Sequence, residues 1–170
     1  MVINYLKSTK MATIEKNKEL VSTLNDLIKI NNDRIEGYKK AAEQAKENPV
    51  LQVMFTEKAA DSQKFASELT QHVSRIGGEQ VNDTTVAGKI FRGWMDIKNT
   101  FKPSDKTTIL DSCEFGEDAA LRAYDMALKS DAELDAELRK TIISQQESIK
   151  ASHDRIKMQR DLSANLDETK

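Results

Sequence analysis

Apolar residues return every three or four positions in four long runs of this chain, the repeat of a helix with one buried face. In the first run Leu24, Ile28, Asn31, Ile35, Tyr38, Ala42 and Ala45 share a stripe. A helix is expected from about Ile14 to Glu47, with Thr13 as its N-cap. Asn48-Pro49 ends that run, and proline suits the first turn of a second helix over Pro49 to Ile76. Its inward set is Leu51, Phe55, Ser62, Phe65, Leu69, Val73 and Ile76, and Gly77-Gly78 closes it. A third helix is expected from Ser104 or Asp105 to Lys129, with Leu110, Cys113, Glu117, Ala120, Tyr124 and Ala127 inward. A fourth is expected from Ala132 to Leu162, with Leu138, Ile142, Gln146, Ile149, His153 and Ile156 inward.

Amphipathic helices must bury such stripes against one another, so the fold class is all-α and the architecture a four-helix bundle. The connection from Gly77 to Pro103 is several times longer than the ~2–8 residues a tight helix–helix turn needs. At ~3.3 Å per extended residue it can cross the whole bundle. The second and third helices can therefore be parallel, giving two antiparallel hairpins joined by an overhand crossover. Within the crossover, Val86, Ile90, Trp94 and Ile97 fall on one side and predict a short fifth helix, with Trp94 as a packing anchor. The hairpins echo each other: Asn31 precedes Tyr38 by seven residues, Glu117 precedes Tyr124 by seven, and each tyrosine opens a Tyr-x-x-Ala. The expected organisation is a loose leader over 1–13, one bundle domain over 14–162 and a frayed tail over 163–170, with Met11 as an alternative start.

Composition narrows the function classes. The 170 residues are 32% charged and only 5% aromatic, with a net charge of −2. Without a basic field, neither nucleic acid nor an anionic membrane is an expected partner. No apolar run is long enough to span a bilayer, no signal-peptide core is evident, and the cytoplasm is the expected location. Cys113 is the lone cysteine and sits on an apolar stripe, as a small core residue would. No serine, cysteine or histidine arrangement points to nucleophilic catalysis.

Glu117 is the one charged residue on the third stripe. Buried alone it would cost several kcal/mol or more, so it requires a partner. The predicted topology resembles the ferritin-like class, and that resemblance implies a di-metal centre. Such a centre takes a carboxylate from helices one and three and a Glu-x-x-His from helices two and four. Aligned on the tyrosine repeat, those positions fall on Asn31, on Ser62 and Phe65, on Glu117, and on Lys150 and His153. Two of the six can ligate a metal, too few to offset the charge of two divalent ions. The expectation is therefore no metal and no cofactor. Glu117 is instead neutralised in a buried polar layer of Asn31, Tyr38, Ser62, Glu117, Tyr124, Lys150 and His153, with Lys150 or His153 as the countercharge. On that reading Glu117→Gln is mild and Lys150→Met harmful. The alternative is an iron or manganese site using Glu117 and His153 with neighbouring carboxylates.

The stretches "EGYKKAAE", "FRGWMDIK", "GEDAALRAYDMAL" and "HDRIKMQRD" resemble a bacterial ferritin-like family carried as a domain of unknown function, over roughly Leu20 to Leu162. The resemblance implies the four-helix bundle and a cytosolic bacterial protein, but neither substrate nor reaction. The expected function is a non-catalytic structural or adaptor protein with a degenerate metal site, acting through an unknown protein partner or through self-association as a homodimer. A di-metal carboxylate oxidase or metal store is the alternative, and a bundle holding a small apolar ligand is a third.

Overall fold

The computed structural model describes residues 2–80 and 106–168, with side chains over 11, 13–80 and 106–166. Four helices account for nearly all of this: α1 (Val2–Gln44), α2 (Pro49–Arg75), α3 (Lys106–Lys129) and α4 (Ala136–Glu168). There is no strand among the described residues. The expected fifth helix around Trp94 falls in 81–105, outside them.

Local chemistry sets several of the ends. Asn48 caps α2, its side chain accepting from the Leu51 amide at 3.2 Å, with Pro49 following as the first helical residue. Gly77 terminates α2 at φ 72°, a conformation glycine enters without a Cβ penalty. The Gly78 amide then donates to the Val73 carbonyl at 2.9 Å. Asp135 caps α4 through the Leu138 amide at 2.7 Å, so this helix starts at Ala136 and not at Ala132. Thr13 is not a cap. No proline interrupts the chain before Pro49, and α1 runs through Thr13 from Val2. At the other end α4 continues past Leu162 to Glu168.

Pairs of touching residues give the helix directions. Along α1 and α2, Arg34 meets Ser62 and Tyr38 stacks on Phe55. Along α1 and α3, Asn31 meets Tyr124 and Tyr38 meets Glu117. Between α3 and α4 the pairs are Glu117 with Ser152 and Tyr124 with Gln145. Between α2 and α4 they are Glu68 with Gln145 and Arg75 with Glu137. In every pairing one number rises as the other falls, so each neighbouring pair is antiparallel. The helices follow the order α1, α2, α4, α3 around the bundle, with α2 and α3 diagonal and parallel.

The core has two apolar parts. One gathers Leu24, Leu27, Ile28, Leu69, Ala120, Ile142 and Ile149; the other gathers Ala41, Leu51, Phe55, Leu110, Cys113 and Ile156. Burying a large aliphatic or aromatic side chain contributes roughly 1.5–3 kcal/mol. Between the two parts lies a layer of polar groups.

Candidate functional site: a buried ion pair across four helices

Residues from all four helices build the polar layer. α1 supplies Asn31, Arg34 and Tyr38 at successive steps of three and four, so all three project from one face. α2 adds Ser62, α3 adds Glu117 and Tyr124, and α4 adds Gln145 and Ser152. The Glu117 side chain is 0% exposed and Arg34 is 1% exposed. Their charges meet at 2.9 Å, from Arg34 Nη2 to Glu117 Oε1. The Tyr38 hydroxyl donates to the same oxygen, and so does Ser152 Oγ at 3.0 Å. The guanidinium also lies 5.6 Å from the centre of the Tyr38 ring.

The layer extends outward from this pair. Arg34 Nη1 donates to Ser62 Oγ at 2.8 Å and to Asn31 Oδ1 at 3.4 Å. Asn31 Nδ2 donates to the Tyr124 hydroxyl at 2.7 Å, which donates to Gln145 Oε1 at 2.7 Å. Gln145 Nε2 completes the chain on Glu68 Oε2 at 2.8 Å, at the edge of a surface groove.

Burial and the carboxylate set the proton affinities here. Burial by itself would lower the Arg34 pKa, but Glu117, with Tyr38 and Tyr124 beside it, more than reverses this and the guanidinium stays charged. Burial, and then Glu117, push Tyr38 well above the ordinary tyrosine value. Burial raises Tyr124 too, with Asn31 and Arg34 opposing the rise. The Cys113 thiol is raised by burial and next by Glu117, which holds it as an unreactive thiol.

Asn31, Tyr38, Ser62, Glu117 and Tyr124 therefore meet in the interior, whereas two expected members do not join them. Lys150 is exposed and pairs with Asp154 on its own helix, 2.6 Å from Oδ1 and 2.5 Å from Oδ2. His153 points at the α3 surface, with Nε2 3.1 Å from Asp118 and Nδ1 3.0 Å from Asp154. The cause is helix phase. The inward residues of α4 are Leu138, Ile142, Gln145, Ile149, Ser152, Ile156 and Ser163, with Gln145 and Ser152 one position before Gln146 and His153. The countercharge is Arg34, which the sequence reading missed. Its signal was available: Arg34 lies three residues after Asn31 and four before Tyr38, on a face already assigned to the core.

Residues 19–130 match the model of a family described as a domain of unknown function (DUF2383). The chain belongs to that family. The DUF2383 match takes in Arg34, Tyr38, Ser62 and Glu117, while the α4 partners Gln145 and Ser152 lie beyond it. Comparison with curated proteins found no match.

Proposed function

We propose that this chain is a ferritin-like bundle of a bacterial cytoplasm in which a protein guanidinium stands where that class would place metal ions. Its role is non-catalytic, structural or adaptor, exercised through a protein partner or a second copy. The parallel, diagonal α2 and α3 support the topology, since two antiparallel hairpins set side by side in this way are the arrangement of that class. One observation carries the functional reading: the contact of Arg34 with Glu117 at 2.9 Å, with both groups excluded from water.

The donor set at this level does not fit a di-metal centre. Asn31 is neutral, Ser62 and Ser152 are hydroxyls, and among the described residues Glu117 is the carboxylate that Arg34 contacts. Among the described residues no three histidine, cysteine, aspartate or glutamate side chains are grouped as ligands. A fixed positive charge against the single carboxylate would repel a divalent ion at close range. The alternative ligands Glu117 and His153 serve different neighbours, one in the core and one on the α3–α4 surface.

The test is metal titration by calorimetry with iron(II), manganese(II) and zinc(II), alongside elemental analysis of protein purified without chelators. The expected metal content is far below stoichiometric, with no saturable heat that depends on Glu117. Near-stoichiometric iron or manganese lost in Glu117→Gln would overturn the proposal.

A further inference from the structure

A second feature lies outside the buried pair. α2 and α4 are neighbours in the bundle, with a groove of about 420 Å³ between them, within the roughly 300–1,000 Å³ typical of small-molecule sites. We propose that this groove binds a small organic oxyanion, a molecule bearing carboxylate or phosphate groups.

The charge arrangement supports this class. Lys64 and Arg75 line the α2 wall and Lys140 the α4 wall, against the carboxylates of Glu68 and Glu137. Those three cations outnumber the two anions, and the pairs they form are loose. Lys64 is 3.9 Å from Glu68 and Arg75 is 3.5 Å from Glu137. Lys140 forms no ion pair with another described residue. Glu68 is directed at the Gln145 amide, at 2.8 Å, which occupies one of its oxygens. Glu137 is three-quarters exposed, so a ligand carboxylate or phosphate can take its place on the Arg75 fork. Cations on opposing walls can then grip both ends of one anion.

The floor of the groove supplies shape and a reporter. The mostly buried Phe65 offers an apolar surface for a carbon skeleton. Gln145 is 2% exposed and joins the groove to the interior, since its Oε1 accepts from Tyr124 while its Nε2 donates to Glu68. An anion that draws Lys64 from Glu68 or displaces Glu68 changes the Gln145 hydrogen bond. The site involves neither Arg34 nor Glu117 directly, and stands or falls apart from the metal question.

Calorimetry and ¹⁵N-resolved NMR titration test this, with citrate and inorganic phosphate as probes against potassium chloride at matched ionic strength. The expected result is saturable one-to-one binding of at least one probe, with shifts at the Gln145 side-chain amide. Arg75→Ala and Lys140→Ala, both at the surface, are each expected to weaken binding about tenfold, the scale of one charge-assisted hydrogen bond. Glu68→Gln is expected to tighten it by removing a competing charge. The better probe identifies the headgroup. Three results overturn the proposal: no saturation by either probe, a response equal to that of chloride, or binding indifferent to all three substitutions, which signifies an adventitious ion only.

Discussion

Replacing Arg34 with methionine keeps most of the side-chain volume and removes the charge. Glu117 is then a buried carboxylate whose remaining donors are Tyr38 and Ser152. Removing one partner of a buried pair costs about 3–5 kcal/mol, because the other charge stays behind uncompensated. Arg34 also donates to Ser62 at 2.8 Å and to Asn31 at 3.4 Å, and losing such bonds adds about 1 kcal/mol. Glu117→Gln abandons a buried guanidinium instead, so it is expected to cost a similar amount. That reverses the mild effect expected when Lys150 or His153 was taken as the partner. In a chain of this length each kcal/mol moves Tm by about 2–4 °C, so either single substitution should lower it by roughly 8–24 °C.

The double variant Arg34→Met/Glu117→Leu is the decisive comparison. With both charges gone, no ion is stranded, and apolar replacement of a buried pair is often neutral or better. The Tyr38 and Ser152 hydroxyls still lose an acceptor, at about 1 kcal/mol each. The double variant should therefore cost at least 3 kcal/mol less than the sum of the two single variants, Arg34→Met and Glu117→Leu. Urea unfolding followed by far-ultraviolet circular dichroism measures all four proteins of the cycle. Additivity within about 0.5 kcal/mol would refute the direct coupling, as contacting charges cannot behave as independent sites.

Lys150→Met should change stability by no more than about 0.5 kcal/mol, since it removes only an exposed pair with Asp154 on one helix; a loss above 2 kcal/mol would place Lys150 in the core. Stability should also decline with alkaline pH. Cys113, Tyr38 and Tyr124 all have raised pKa values in the fold, so their contributions are intact below the unfolded values of about 8.5 and 10 and are lost as pH rises. Each should remove about 1.4 kcal/mol per pH unit above its unfolded pKa, and Cys113→Ala should flatten the urea midpoint between roughly pH 8.5 and 10. Gly78→Ala would put a Cβ 2.5 Å from Val21 Cγ2 and 3.1 Å from Val73 Cγ1. A cost of about 1–3 kcal/mol follows in thermal melts, partly restored by Val21→Ala; full tolerance would mean that α1 and the end of α2 are less closely packed.

Legibility in the sequence depended on how apolar each stripe was. On α3 the stripe from Leu110 to Ala127 is apolar except for Glu117, and every member is buried. On α2 the predicted stripe is likewise buried from Leu51 to Val73, and its proline and glycine ends were plain to read. α4 is different, because three of its inward positions are polar, Gln145, Ser152 and Ser163. Hydrophobic periodicity is silent at such positions, so the adjacent Gln146 and His153 fitted nearly as well, and a single-residue error turned Lys150 and His153 toward the core. Arg34 was hidden for a related reason. Arginines are rarely fully buried unless paired, and the pairing is a tertiary fact with Glu117 on another helix. The requirement for a countercharge was legible from Glu117 alone; which cation met it was not.

What the pair offers the fold is better sought in register than in stability. Leu110, Glu117 and Tyr124 lie seven residues apart on one α3 face, and all three are buried. Sliding α3 by seven residues would bring another member of the same inward face opposite Arg34. Apolar patterning distinguishes such slips weakly, because the stripe repeats at that interval. The charges distinguish them strongly. In either slipped arrangement Arg34 would meet Leu110 or Tyr124 in place of a carboxylate, and Glu117 would sit unpaired within one of the two apolar clusters. Each stranded ion costs several kcal/mol, more than the few tenths to 1.5 kcal/mol that exchanging similar apolar contacts involves. A buried pair that adds little net stability can therefore select one helix alignment from several near-equal ones, as single buried polar residues do in coiled coils. An arginine suits that task because it cannot dissociate like a metal ion or lose its proton within the stable pH range of the fold.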